Sequence, residues 1–92
     1  MKKLYRYFED FGRSGYLEGI FVSTDKEINS LTGKQAYFGE VLGKHSEVWS
    51  DEWRDHVTEL TDDQEFIEKA IKFNMTDIGY NPIDYIEIDC ID

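Results

Sequence analysis

The stretch KLYRYFEDFGRSGYLEGIFVS, residues 3–23, decides how this chain folds. Residues 3–9 alternate loosely between apolar and polar side chains, which is the pattern of a β-strand. The glycines of GRSG, residues 12–15, allow the backbone conformations of a tight turn. YLEGIFVS, Tyr16–Ser23, predicts a returning strand, and Gly19 within it indicates a bulge or a close backbone approach. We therefore expect the chain to begin with an antiparallel hairpin.

A short helix is predicted after this hairpin. Thr24 and Glu27 match a capping box, in which a hydroxyl and a carboxylate satisfy the first backbone N–H groups. Ile28 and Leu31 lie three residues apart and therefore share one face of the helix. Gly33 is a natural helix terminator, so the helix has about two turns.

A second helix is predicted from TDDQEFIEKAIKF, residues 61–73. Thr61 and Gln64 match another capping box, and the acidic residues between them suit the positive end of the helix dipole. The apolar residues recur at helical spacing and predict a stripe that faces the core. This stripe consists of Phe66, Ile67, Ala70, Ile71 and Phe73.

The remaining segments predict further strands. Residues 35–49 indicate a second hairpin with its turn at GKHS, and Val57 and Leu60 indicate a short strand. Residues 83–92 alternate and favour a final edge strand. The expected fold is α+β: a mostly antiparallel sheet of two hairpins in the order β-β-α-β-β-α, with an optional C-terminal strand and two helices packed on one side. The 92 residues predict a single domain, residues 1–92.

The charge of the chain is strongly negative and unevenly distributed. The net charge is −10. Residues 1–46 carry seven bases and six acids, whereas residues 47–92 carry three bases and fourteen acids. Such a chain repels nucleic acid and anionic membranes, so direct binding to either is not expected. The single cysteine and the lack of an apolar signal segment favour a cytoplasmic location.

The acidic half begins with EVWSDEWRDHVTELTDDQEF, residues 47–66, which holds eight acids and one base. We expect Trp49 to be buried at the end of a strand and Trp53 to be exposed among its charged neighbours. An acidic surface of this kind can imitate a row of phosphates and bind a basic groove. The same charge pattern is also typical of a solvated surface. The candidate partner-binding residues are Asp51, Glu52, Trp53, Asp55, Glu59, Asp62, Asp63 and Glu65.

No pattern in the sequence predicts catalysis. His45 and His56 lie in or near polar turns, and Cys90 lies close to the C-terminus. The acids at residues 51–55 lack the spacing of a calcium loop, and residues 42–46, LGKHS, lack the upstream glycine of a phosphate loop. We therefore expect a non-enzymatic protein with no catalytic residues, no metal site and no cofactor. An enzyme or a metal-dependent switch is left as an alternative.

The stretches YLEGIFVSTDKEINSLTGK, YFGEVLGKHSEVW, TDDQEFIEK and GYNPIDYIE resemble a family of uncharacterised small phage and bacterial proteins. In its acidity and small size, the chain also resembles phage-encoded proteins that block host defence, of the anti-CRISPR type. It implies a direct protein partner, such as the nucleic-acid-binding surface of a CRISPR effector in the host cytoplasm. Anti-CRISPR proteins share no common motif, so the resemblance assigns no functional residue.

An alternative hypothesis places the interface elsewhere. The chain would then be a small accessory interaction module that works through its hairpin edge or its GRSG and GKHS turns, with the acidity serving only solubility. Arg13 and Lys44 in those turns would then contribute to binding. A homodimer formed through the edge strand at residues 83–92 is also left open.

Overall fold

The computed structural model describes residues 1–43 and 47–86. Within these residues the chain forms six strands, two α-helices and three short 3₁₀ turns. The 3₁₀ turns cover Gly12–Ser14, Trp53–His56 and Pro82–Tyr85. The strands are β1 (Lys3–Asp10), β2 (Tyr16–Ser23), β3 (Ala36–Gly39), β4 (Val48–Ser50), β5 (Val57–Thr61) and β6 (Asp77–Gly79), and the helices are α1 (Asp25–Leu31) and α2 (Gln64–Lys72).

A four-stranded sheet in the order β5-β1-β2-β6 forms the centre of the molecule, and all its pairs are antiparallel. The expected N-terminal hairpin is confirmed, with Tyr5 opposite Phe21 and Tyr7 opposite Gly19. The close approach expected at Gly19 is also confirmed. A Cβ atom there would lie 2.0 Å from the carbonyl oxygen of Tyr80.

The second hairpin is confirmed, but the single sheet expected to hold both hairpins is wrong, because β3 and β4 form a separate two-stranded sheet. Ala36 pairs with Ser50, and Tyr37 pairs with Trp49. Residues 44–46 of its predicted turn lie outside the described residues. The strand predicted around Val57 is confirmed as β5. Strand β6 was not predicted, because three residues are too few to show an alternating pattern.

The main core lies on one face of the central sheet. Alternate residues of a strand point to opposite faces, so Tyr5 and Tyr7 of β1 share a face with Leu17 and Phe21 of β2. Helix α1, the smaller sheet, the 3₁₀ turn that begins at Trp53 and the residue that follows the last 3₁₀ turn cover this face. They contribute Ile28, Leu31, Ala36, Phe38, Val48, Trp53 and Ile86 to the same buried cluster.

Helix α2 covers part of the opposite face. Leu4 of β1 and Ile20 of β2 point there, and they line one groove with residues of α2. The α+β class with antiparallel sheets is confirmed, but the two helices lie on opposite faces rather than on one side. The reason is that β1 is apolar on both faces, with Leu4 on one and its neighbour Tyr5 on the other.

The capping residues were predicted correctly for one helix only. Thr24 Oγ1 accepts a hydrogen bond from the Glu27 N–H at 3.1 Å, so the N-cap of α1 is confirmed. The capping box at Thr61 and Gln64 is wrong. Asp63 caps α2, and its Oδ1 accepts from the N–H groups of residues 65 and 66 at 3.1 and 3.3 Å. Thr61 ends β5 and therefore lies two residues too early to be the cap.

The C-terminal strand predicted over residues 83–92 is wrong where the structure describes it. Pro82–Tyr85 form a 3₁₀ turn, and Ile86 makes a single bridge to Ala36. Asn81 caps this turn, because its Oδ1 accepts a hydrogen bond from the Ile83 N–H at 3.1 Å. Pro82 suits the first position of the turn, where no backbone N–H is needed. Residues 87–92 lie outside the described part of the chain.

Candidate functional site

The two tryptophans have the reverse of their expected exposures. Trp53 is 0% exposed and Trp49 is 50% exposed, so both predictions are wrong. In β4 the side chains of Val48 and Ser50 are buried, and the strand alternation turns Trp49 outward. Trp53 begins a 3₁₀ turn that directs its ring into the core, where Nε1 donates to the Lys34 carbonyl oxygen at 2.8 Å. Trp49, not Trp53, is therefore the aromatic side chain available to a partner.

Two neighbouring depressions share Trp49 and Phe11. The first has a volume of about 270 Å³ and an acidic lining. The second has a volume of about 350 Å³ and extends toward Ser14 and Glu47. We call the first depression the acidic cavity. It is lined by Glu9, Phe11, Trp49, Ser50, Asp51 and Glu52.

Glu9 is the most enclosed carboxylate of the acidic cavity. Its side chain is only 12% exposed. One oxygen accepts a hydrogen bond from the buried Tyr7 hydroxyl at 2.7 Å, and the other lies 3.7 Å from His56 Nε2. Burial, and then the hydrogen bond to Glu9, raise the pKa of the Tyr7 phenol above its ordinary value. Tyr7 therefore keeps its proton at neutral pH and holds the Glu9 carboxylate in place.

Ser50 adds an unusual polar group to the wall of this cavity. Its residue is buried, and its Oγ finds no hydrogen-bond partner among the described residues. An unpaired buried hydroxyl costs about 1–3 kcal/mol, so such groups are uncommon unless something else satisfies them. The acidic cavity thus combines enclosed and exposed carboxylates, an exposed indole and an unpaired hydroxyl.

Of the eight predicted partner-binding residues, Trp53 is buried, whereas the seven acids are exposed and are spread along β5 and beyond both of its ends. Asp51 and Glu52 line the acidic cavity, and Asp55 is exposed in the adjoining 3₁₀ turn. Asp62 is exposed beyond the far end of β5. This strand rises about 13 Å from Val57 to Thr61 at ordinary strand spacing, so it separates the two groups of acids.

Four of the predicted acids already have structural partners. Asp51 accepts a hydrogen bond from Gln35 Nε2 at 3.0 Å, but this neutral donor leaves its charge uncompensated. Glu59 forms an ion pair with Lys3 at 3.0 Å, and Lys3 also pairs with Asp25. Glu65 lies 3.7 Å from Lys69 one helical turn away, and Asp63 caps α2. These contacts offset part of the negative charge at that end, so the least compensated acids lie near Trp49.

Sequence reasoning missed Glu9, Phe11 and Ser50 as members of this site. Glu9 and Phe11 come from the N-terminal hairpin, far along the chain from β4. The one available signal was Ser50, a polar residue at an inward position of a strand. Only the packing of the smaller sheet against the end of β1 brings these residues together.

The described residues show neither a metal-binding cluster nor a membrane-spanning helix. Within residues 1–43 and 47–86, no three His, Cys, Asp or Glu side chains are grouped so as to hold a metal ion. None of the helices in this part of the chain is long and apolar enough to cross a membrane.

Comparison with known proteins finds no matching family model, no significant match among curated proteins and none among solved structures.

Proposed function

We propose that this chain is a non-enzymatic binding protein that occupies a basic, nucleic-acid-binding surface of a partner protein and blocks it. In the cytoplasm of a bacterial host it would act as a phage-type inhibitor of the anti-CRISPR kind. One observation carries the proposal: Trp49 is exposed between two depressions, with Asp51 and Glu52 beside it and the Glu9 carboxylate behind it.

This arrangement suits an arginine or lysine side chain. A guanidinium or ammonium group is attracted to the face of an indole, and tryptophan is the strongest of the aromatic residues in this respect. Carboxylates accept charge-assisted hydrogen bonds from the same cation, which are about twice as strong as neutral ones. Glu9 is already oriented by Tyr7, so little conformational freedom remains to be lost on binding.

The charge of the whole molecule favours a basic protein partner. A net charge of −10 steers the chain toward positively charged grooves and away from DNA itself. Grooves that bind nucleic acid are lined with arginine and lysine that would otherwise neutralise phosphates. Exposed carboxylates near Trp49 can pair with the same side chains, which excludes the nucleic acid by direct competition.

The proposal is tested by capture followed by competition. The full chain is immobilised, exposed to a bacterial lysate and washed at low and then at high salt, and released proteins are identified by mass. We expect a nucleic-acid-binding protein that is released by salt, because screening weakens surface electrostatics. The purified partner is then tested for loss of DNA binding as this chain is added.

Paired variants locate the surface. Asp51→Asn with Glu52→Gln removes two charges beside Trp49, whereas Glu68→Gln with Asp77→Asn removes two charges elsewhere. We expect the first pair, and Trp49→Ala, to weaken the competition at least tenfold, which corresponds to about 1.4 kcal/mol. If the two charge pairs had equal effects on the competition, the acidic residues would serve general solvation rather than a defined interface. If Arg13→Ala abolished binding and the two substitutions beside Trp49 had no effect, the interface would lie at the hairpin turns instead.

A further inference from the structure

An apolar groove of about 400 Å³ lies on the face of the central sheet that α2 covers only in part. Leu4 and Ile20 of the sheet form its floor. Lys69 and Ala70 of α2 also line the groove. Phe66 and Phe73 of α2 lie on one side, and Met75 and Ile78 follow the helix in the chain. The last four side chains are each more than half exposed.

This exposure is concentrated rather than scattered. Single apolar side chains on a surface are normal, but a continuous patch marks an interaction site. The nine residues of α2 span about 13.5 Å and bury only Ile67 completely against the sheet. The stripe predicted to face the core therefore splits, since Ile67 is buried and the two phenylalanines border an open groove. The groove beside α2 can therefore receive apolar side chains from a partner.

The charges of α2 indicate what kind of helix can pack against it. Glu65, Lys69 and Lys72 follow one flank of the helix, next to the apolar side that carries Phe66 and Phe73. Glu65 lies in the first turn and Lys72 ends the helix. When two copies of this helix pack antiparallel about a two-fold axis, the same flank of each helix meets the other in opposite order. Glu65 of each copy then faces Lys72 of the other, so the helix pair has two such contacts, one at each end.

We propose that α2 and this groove form a two-fold symmetric interface between two copies of the chain. In a two-fold interface both copies contribute the same patch, so the patch must be complementary to itself. The acidic start and basic end of the α2 flank meet this requirement when the helices are antiparallel. Phe73 of each copy lies over the groove beside Phe66 of the other. Ala70, at the middle of the apolar side, is small enough to permit the usual helix separation of about 8–10 Å.

This interface is independent of the acidic cavity. Glu9 points to the same face of the sheet as Tyr5 and Tyr7, whereas the groove lies on the opposite face, to which Leu4 points. The dimer would therefore leave both acidic cavities exposed. Failure of the dimer leaves the proposed function intact, because that function requires only one copy.

The test measures the mass of the full chain by sedimentation over a range of concentrations. We expect a reversible monomer–dimer equilibrium. Phe66→Ser combined with Phe73→Ser should abolish the dimer while the circular dichroism spectrum stays native, since both rings are largely exposed in one copy. A dimer that survives these changes in a folded protein would overturn the proposal and favour another contact, such as an edge strand. A chain that is monomeric at all concentrations would overturn it as well.

Charge exchange supplies a sharper test. Glu65→Lys alone and Lys72→Glu alone each place like charges opposite each other, so each variant should dimerise at least tenfold more weakly. A mixture of the two variants should form a heterodimer, because each lysine of one chain then faces a glutamate of the other. Failure of the mixture to associate more tightly than either variant alone would contradict the antiparallel α2 pairing.

Discussion

The indole Nε1 of Trp53 donates a hydrogen bond to the carbonyl oxygen of Lys34 at 2.8 Å. Lys34 follows α1 and precedes β3, so this bond ties the connection between them to the 3₁₀ turn that leads into β5. The ring is fully buried in the main core, and the bond satisfies its one polar atom. Trp53 therefore stabilises the fold, whereas Trp49, four residues earlier, is placed to contact other molecules.

The two tryptophans should differ sharply in their effect on stability. We expect Trp53→Ala to lower the free energy of unfolding by about 3–5 kcal/mol, because it creates a large cavity and leaves the Lys34 carbonyl unpaired. Trp49→Ala is the matched control and should cost only about 1 kcal/mol, because half of its side chain is exposed and it loses mainly a cross-strand contact with Tyr37. Urea unfolding followed by circular dichroism measures both. Similar losses for the two variants would contradict the assigned burial.

The N-terminus of α2 should depend on Asp63 rather than on Thr61. Asp63→Ala removes the acceptor for two backbone N–H groups and should cost about 1 kcal/mol of stability. Asp62→Ala removes the same charge one residue earlier and should cost less than half as much. Thermal or urea unfolding of the two variants provides the comparison. If Asp62→Ala were the more damaging change, general helix-dipole effects would outweigh the cap.

Gly19 should be intolerant of any side chain. An added Cβ would lie 2.0 Å from the Tyr80 carbonyl oxygen and 2.5 Å from the Tyr80 nitrogen, so β2 and the segment after β6 would have to separate. We expect Gly19→Ala to cost about 1–3 kcal/mol through overpacking. Hydrogen exchange should show the damage locally. The Tyr80 N–H, which donates to the Glu18 carbonyl oxygen at 3.0 Å, should exchange faster, while β1–β5 amides should keep their protection.

Alkaline pH should destabilise the protein partly through Tyr5. Burial, and then the hydrogen bond to Asp25, raise the pKa of Tyr5 from 10.0 to about 12. The folded state thus holds a proton that the unfolded chain releases above pH 10. Stability should therefore be unaffected by this group below pH 10 and should fall as the pH rises from 10 to about 12. Tyr5→Phe should remove that part of the slope in urea unfolding at successive pH values. An unchanged slope would show that Tyr5 ionises normally in the folded state.

Several elements were predictable because their signals are local. The N-terminal hairpin follows from alternation and the glycines of its turn, and the N-cap of α1 follows from Thr24 three residues before Glu27. The helical spacing in residues 61–73 predicted α2, although its cap was assigned two residues early. Strand β6 is too short to leave a pattern and is held by its pairing with β2.

The candidate site was predictable only in part. The sequence indicated that Asp51, Glu52 and Asp55 would be exposed near a tryptophan, and these acids are exposed. It assigned the exposed position to the wrong tryptophan, because a ring surrounded by charges in sequence can still turn inward in a 3₁₀ turn. It also grouped all the acids as partner-binding residues, although Glu59 and Asp63 have structural partners.

The sequence by itself determined the secondary structure of most of the chain, its antiparallel α+β class and the negative charge of its second half. These properties depend on neighbouring residues or on simple sums. The tertiary structure alone decided that α2 lies opposite α1, that Trp49 is exposed and Trp53 buried, and that Glu9 and Ser50 meet in one cavity. Each of these outcomes depends on contacts between residues distant in sequence, and a local pattern carries no information about which distant surface a side chain will meet.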